Sequence, residues 1–372
     1  MNTKITEEKI KQKAPRVVDK AVMPGPTYFI ILIVTLILLL SFTVSLFAVF
    51  AKQSMERNHN NVDIPQDNAP SGNSNKNPSG TIGGGLSVGG NSLGKTNPKR
   101  SSYISKSAAN VEKVGEQIRS DNVILIDLDT YESIAEKSAD TVIYPASMTK
   151  VMSILVACEN LKSLKTKLKV TKEITDYAQR MGGSGIGLEV GDELSTQDLL
   201  YLTAYSSDTV AVIMLANHVA GSEEKFVKLM NNKARELGLK NTNFDNCTGL
   251  HSDDNYTTCR EMAAIMAYAL EHPLCKELLT SYTKYSVADK YGIYSSWYSA
   301  RFNNNPRLET VTVKGGKTGY IDESGFCLVS YAESRSLGKR YIQVIVGEPK
   351  GSGLTEDLSV RDVKFVYNTY AN

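Results

Sequence analysis

The 372-residue chain lacks any strong charge imbalance, has only four histidines and carries no phosphate-binding loop. Its 42 Lys and Arg stand against 40 Asp and Glu, a formal net charge of +2, so no bulk field draws it to nucleic acid. No Cys and His spacing marks a zinc site, and neither a metal nor a cofactor is expected. The His residues give poor support to a His-based triad: His59 lies in a polar stretch, His218 and His272 fall at helix ends, and only His251 occupies a loop that could reach a cleft. Five Cys cannot all pair within one chain, which excludes a disulfide scaffold. Cys247 and Cys259 flank the loop DNCTGLHSDDNYTTCR and either bridge or stand as two buried thiols, whereas Cys158 and Cys327 sit in apolar runs that read as core.

One long hydrophobic run is present. From Tyr28 to Ala51 no Asp, Glu, Lys, Arg or His occurs, long enough for a helix to cross a bilayer, which needs about 20 residues. Lys4, Lys9, Lys11, Lys13, Arg16 and Lys20 precede it, against Lys52 and Arg57 just beyond. The positive-inside bias places residues 1–27 in the cytoplasm, 28–51 in the cell membrane as a single-pass anchor, and the bulk of the chain outside. A cleaved signal peptide ending near Val49 and Ala51 is the competing reading, although its apolar region is usually only about 7 to 15 residues. Residues 52–102, rich in Asn, Ser, Gly and Pro, read as a flexible stalk, because they hold too little apolar surface to offset ordering entropy.

Regular patterning fills residues 103–372. NVILIDLDT (122–130) reads as a strand and ESIAEKSAD as its hairpin partner. Helices are predicted from Pro145 through PASMTKVMSILVACENL, then in STQDLLYLTA, DTVAVIMLANHVA, SEEKFVKLMNNKARELGL and CREMAAIMAYALEH. Strands return in TVTVKGG, GFCLVSYAE and RYIQVIVGE, and EDLSVRDVKFVYNTYA closes the chain as a helix. Strands at both ends of a helical middle imply an α+β fold whose sheet joins distant segments.

Ser147 and Lys150 stand three positions apart in the first of these helices, which puts hydroxyl and amine on one face. A neutral amine there can take the serine proton, and neutrality requires burial or a second nearby cation, for which Lys317 is the candidate. The backbone N–H of Ser147 lies among the open donors of the helix start and can face an oxyanion, with the N–H of Tyr320 as second donor. Lys317 and Thr318 can offer a charge and a hydroxyl to a carboxylate.

Several blocks in order, YPASMTKVMS, GLEVGDELSTQDLL, KARELGLKNTNFDNCTGLH, NYTTCREMA and GGKTGYIDESGFCLVS, resemble the D-alanyl-D-alanine carboxypeptidases, low-mass penicillin-binding proteins of serine peptidase family S11. The resemblance covers about Ser105 to Glu348. It implies a penicillin-binding, β-lactamase-like transpeptidase fold, an antiparallel sheet flanked by helices with a helical subdomain. It implies Ser147 as acylated nucleophile, Lys150 as its base and Ser207 as proton relay. Lys317, Thr318 and Gly319 would form the Lys-Thr-Gly strand that receives the substrate carboxylate beside Tyr320. The implied partners are peptidoglycan stem peptides ending in D-Ala-D-Ala, and β-lactams as covalent inhibitors.

Two departures stand out. Members carry Ser-Gly-Asn at the second motif, and the aligned triplet here is Ser207, Asp208 and Thr209, so Thr209 replaces an amide expected to contact substrate; a register of Ser206 to Asp208 requires a gap. Many relatives also anchor through a C-terminal amphipathic helix after a β-rich domain, which is not found before Asn372, leaving the N-terminal segment as the expected anchor. Two rival readings are a β-lactamase using Glu189 to activate water, and a catalytically weak peptidoglycan-binding or antibiotic-sensing protein.

Overall fold

The computed structural model describes residues 96, 98–99, 102–298, 302–348 and 358–371, all within the compact unit Gly85–Asn372. The expected cytoplasmic tail, the membrane span and most of the stalk lie outside them. The frame is one six-stranded sheet built from both ends of the domain. Its strands are β1 (Lys106–Lys113), β2 (Asn122–Asp127), β3 (Glu132–Lys137), β4 (Val311–Ile321), β5 (Gly325–Ser334) and β6 (Arg340–Glu348), in the order β1-β3-β2-β6-β5-β4. The seam between the two ends is the antiparallel pairing of β2 with β6, in which Ile126 faces Ile342 and Ile124 faces Val344.

The sheet is mixed, not purely antiparallel: β1 runs parallel to β3 while the other neighbouring pairs are antiparallel. β1 reads KSAANVEK and is mostly exposed, so its sequence carries no apolar face to fix a direction. The NVILID run of β2 is wholly buried because both sides of the sheet are covered, as uninterrupted apolar strands require. Val123 and Leu125 point to one core with Val311, Leu328 and Ile345, whereas Ile124 and Ile126 point to the other with Val329, Ile342 and Val344.

Eight helices cover this frame among the described residues: α1 (Lys150–Asn160), α2 (Lys172–Arg180), α3 (Thr196–Tyr205), α4 (Thr209–Ala220), α5 (Glu223–Glu236), α6 (Cys259–Ala269), α7 (Pro273–Thr280) and α8 (Leu358–Tyr370). Residues of α1 and α6 fill the core beneath one face, with α3, α4 and α5 stacked beyond them as a helical subdomain. The predicted helices are present. The helix expected from Pro145 begins as a tight 3-10 turn, Ala146–Thr149, before α1 takes over at Lys150. The predicted strand around the Lys-Thr-Gly glycines runs on to Ile321 instead of stopping there.

Thr96 and Lys99 fall within the segment read as a stalk, yet both dock on the domain. Thr96 is buried and its N–H donates to Glu159 at 3.1 Å, while Lys99 pairs with Glu271 at 2.8 Å. The short polar stretch is held there by directed bonds to carboxylates, which composition does not reveal. Cys247 and Cys259 are separate buried thiols, and the Cys247 thiol donates to Glu223 at 3.2 Å.

α8 closes the second core through Val360, Val363, Val366 and Tyr367. It is fixed at its start by the fully buried Asp362, whose Oδ2 accepts from Arg119 N at 2.8 Å, Ser120 N at 2.9 Å and Ser120 Oγ at 2.9 Å. Replacing Asp362 by Ala leaves these donors unmet in the interior, and we expect a loss of about 2 to 4 kcal/mol in unfolding free energy by urea titration. A change within about 0.5 kcal/mol would remove Asp362 as the clasp of α8.

Candidate active site

Ser147 stands in the 3-10 turn between Pro145 and α1, half-buried. Pro145 presets the turn, and Met148 N donates back to its carbonyl at 3.1 Å. Ala146 is held at φ 48°, a left-handed conformation unfavourable for a residue with a Cβ, immediately before the serine. Two backbone segments press on this turn where side chains would not fit. A Cβ at Gly249, which has φ +79°, would stand 1.9 Å from the Ala146 carbonyl oxygen, and one at Gly319 would stand 3.1 Å from Ser147 N. Gly319 lies on β4, the edge strand, so the sheet's open edge abuts the Ser147 turn.

Lys150 Nζ lies 3.0 Å from Ser147 Oγ and donates to the Thr248 carbonyl at 2.5 Å. The amine is 1 % exposed, and burial lowers its pKa to about 8, against the opposing pull of Cys247 and Asp208. Roughly a tenth of the amine is therefore neutral at pH 7, and most is neutral above pH 8. Of the two routes to neutrality expected from the sequence, burial or a second cation, burial is the leading cause. Lys317 Nζ instead donates to Ser207 Oγ at 3.0 Å and to the Thr318 carbonyl at 2.9 Å, and the residue is fully buried.

Ser207 sits between α3 and α4 at φ 58°, another left-handed non-glycine residue. Asp208 caps α4, its Oδ1 accepting from Ala211 N at 2.9 Å and its Oδ2 from Ile186 N at 2.9 Å. These bonds lock the turn that presents Ser207. Burial raises the Asp208 pKa, while the backbone donors and Lys150 oppose that rise.

Thr209, expected at the substrate, begins α4. As the first residue of α4 it is 2 % exposed, its N–H donates to Ser184 O at 2.8 Å, and its methyl faces Gly183, where an added Cβ would meet it at 2.6 Å. It packs under the 183–186 loop, inside the wall, because the capped helix start turns its side chain that way. Thr318 lies on β4 with its hydroxyl 3.2 Å from Ser296 Oγ, and Tyr320 donates its own hydroxyl to Asp322 at 2.6 Å. The structure thus gathers Ser147, Lys150, Ser207, Lys317, Thr318, Gly319 and Tyr320 from three segments.

Sequence reasoning missed the loop that holds Lys150. Asn246 Oδ1 accepts from Thr248 N at 3.1 Å, Thr248 Oγ1 at 2.8 Å and Gly249 N at 2.7 Å, and its amide donates to Leu250 O at 3.0 Å. This folds residues 246–250 so that the Thr248 carbonyl faces the lysine. The available signal was the Asn-Cys-Thr-Gly run itself, a turn sequence with an Asx residue and a glycine. Ser296 gave no signal at all. His251 lies 3.6 Å from Asp253 and 3.8 Å from Glu323, and Glu189 is paired at the surface with Lys290 at 2.7 Å, so neither is built into this centre.

A serine with a buried lysine at its hydroxyl, facing a strand that carries a second lysine, defines an acyl-transfer centre of the serine–lysine class. The chain belongs to the Peptidase_S11 family, D-alanyl-D-alanine carboxypeptidase, whose family model matches residues 106–350. It is 37% identical over 237 residues to the D-alanyl-D-alanine carboxypeptidase DacF of Bacillus subtilis, covering 61% of this chain and 57% of that one. It is 34% identical over 237 residues to the D-alanyl-D-alanine carboxypeptidase DacC of Escherichia coli, covering 60% of this chain and 55% of that one. The chain thus matches little more than half the length of these relatives. In fold it resembles penicillin binding protein 5 from Haemophilus influenzae, with TM-score 0.59 at 24% identity over 70% of this chain and 73% of that one. It also resembles a D-alanyl-D-alanine carboxypeptidase from Mycobacterium tuberculosis, with TM-score 0.59 at 21% identity over 72% of this chain and 96% of that one.

Asn246→Ala should free the 246–250 loop and misplace the Thr248 carbonyl. We expect acylation of Ser147 by a fluorescent penicillin to slow by about tenfold to a hundredfold. An unchanged rate would mean that the loop does not position Lys150.

Proposed function

We propose that the chain is a membrane-tethered serine D-alanyl-D-alanine carboxypeptidase that removes the terminal D-Ala from peptidoglycan stem peptides. The observation that carries this reading is the 3.0 Å approach of the buried Lys150 amine to Ser147 Oγ within an S11 frame. Neutral Lys150 takes the Ser147 proton as Oγ attacks the carbonyl carbon of the penultimate D-Ala. The N–H groups of Ser147 and Tyr320 receive the oxyanion. Lys317 and Thr318 hold the free terminal carboxylate, a charge-assisted contact that selects an exopeptidase substrate. Ser207, bonded to Lys317, relays the proton that Lys150 took to the departing D-Ala amine, so that Lys150 is neutral again and Ser207 keeps its hydroxyl. Water then hydrolyses the Ser147 ester, returning the hydroxyl. β-Lactams acylate the same oxygen and leave slowly.

The apolar run 28–51 and the basic residues before it support an anchor with the catalytic domain on the outer face of the cell membrane. The surface pairing of Glu189 with Lys290 weighs against a β-lactamase that activates water through that carboxylate. The Thr209 methyl packs toward Gly183, and the altered second motif is expected to be compatible with turnover.

The test is D-Ala release from a diacetyl-Lys-D-Ala-D-Ala peptide by the full chain, with Ser147→Ala beside it. We expect release by the parent and a loss of about a thousandfold or more in the variant. Penicillin labelling of Ser147 without D-Ala release would overturn the carboxypeptidase reading and leave an acylable sensor.

A further inference from the structure

We infer that Cys158, His272 and Cys275 form a zinc-binding site that clasps the helix of Lys150 to the helix beneath the strand of Lys317. The two thiols and an imidazole nitrogen all lie within 4.8 Å of one another. All three residues are buried, at 0 %, 2 % and 0 % exposure. Cys158 follows Lys150 on α1, while His272 caps α7 and Cys275 lies in its first turn, one turn along from the histidine. No spacing in the sequence discloses this, because the ligands come from two helices that meet only in the fold. The cluster is separate from the Ser147 centre and plays no part in the proposed reaction.

Zinc bonds sulfur at about 2.3 Å and imidazole nitrogen at about 2.0 to 2.1 Å, so its tetrahedral ligands stand roughly 3.5 to 3.8 Å apart. Side-chain adjustments of about an ångström or less bring these three atoms to that spacing. His272 Nδ1 accepts from Cys275 N at 3.5 Å, the far limit of a hydrogen bond, so this contact is cheaply given up. Binding releases the two thiol protons to solvent, and two thiolates with a neutral imidazole cancel the charge of Zn²⁺. A neutral centre is compatible with full burial, whereas Cu⁺ would leave a net negative charge, and Ca²⁺ or Mg²⁺ would require oxygen ligands. Nearby Glu159 is already committed to Lys233 at 2.9 Å and Thr96 N at 3.1 Å, so the protein supplies the three soft ligands and the fourth tetrahedral position falls to a water. α7 packs on both α1 and β4, so an ion here ties together the elements that carry both lysines of the site.

The full chain, purified with a thiol reductant, is stripped with chelator, exposed to Zn²⁺, freed of loose ion by gel filtration and analysed for metal. We expect about one zinc per chain and a Tm raised by about 5 °C or more. Co²⁺ in place of Zn²⁺ should give thiolate charge-transfer bands. Cys158→Ser and Cys275→Ser should each abolish retention, and Cys259→Ser, at a thiol equally buried elsewhere, should preserve it. Absence of bound metal in the folded parent overturns the site, as does zinc retained by Cys275→Ser. A parent chain lighter by two hydrogens, with Cys158 and Cys275 in one peptide, would assign the pair to a disulfide and equally overturn it.

Discussion

Everything around the candidate active site depends on an amine kept out of water. Lys150 is enclosed on α1 with Ser147 Oγ on one side and the Thr248 carbonyl on the other. Holding its pKa near 8, not 10.5, costs the folded chain roughly 3 kcal/mol below pH 8, where the unfolded chain keeps a fully solvated ammonium. The fold bears that cost through packing elsewhere: the central strands of the sheet are buried on both faces and α1 is buried over most of its length. Strain at Ala146 and Ser207 concentrates at the same place, where backbone conformations unfavourable to a side chain are held by close neighbours.

In the proposed reaction the two lysines divide the chemistry. Lys150 is placed to be neutral part of the time, whereas Lys317 is tied to Ser207 and to its own strand, at the open edge of the sheet. A proton acceptor and an anion receptor can thus sit on opposite sides of one cleft without exchanging roles. Asp208 stands between these duties as a structural carboxylate, capping α4 and gripping the 183–186 loop, and so fixes Ser207 at a conformation that the residue would not choose alone.

Much of this was legible in the chain. The Ser-x-x-Lys spacing survives any uncertainty in helix type, since a 3-10 turn running into an α-helix still places positions three apart on one side. The buried strands announced themselves by β-branched runs, and Asn122–Asp127 pairs with Glu132–Lys137 as expected. What could not be read were contacts made by backbone atoms or fixed by distant partners. The Thr248 carbonyl leaves no trace in residue type, the direction of β1 is set by pairing without an apolar pattern, and the burial of Thr209 follows from a loop packed over it. α2, a strongly polar helix with Ala178 as its buried residue, escapes such a reading because it carries so few apolar residues, although those few do share one face.

The most direct test is to measure the titration of the Lys150 amine itself, by isotope-edited NMR of lysine side chains in the full chain, with Lys150→Arg to assign the signal. A pKa depressed in the folded state means that the amine loses its proton as pH rises through about 8, giving the base its neutral form from there upward. The account predicts a midpoint near 8 for this lysine. A midpoint at or above 10.5, the ordinary lysine value, would leave Ser147 without its base and contradict the account.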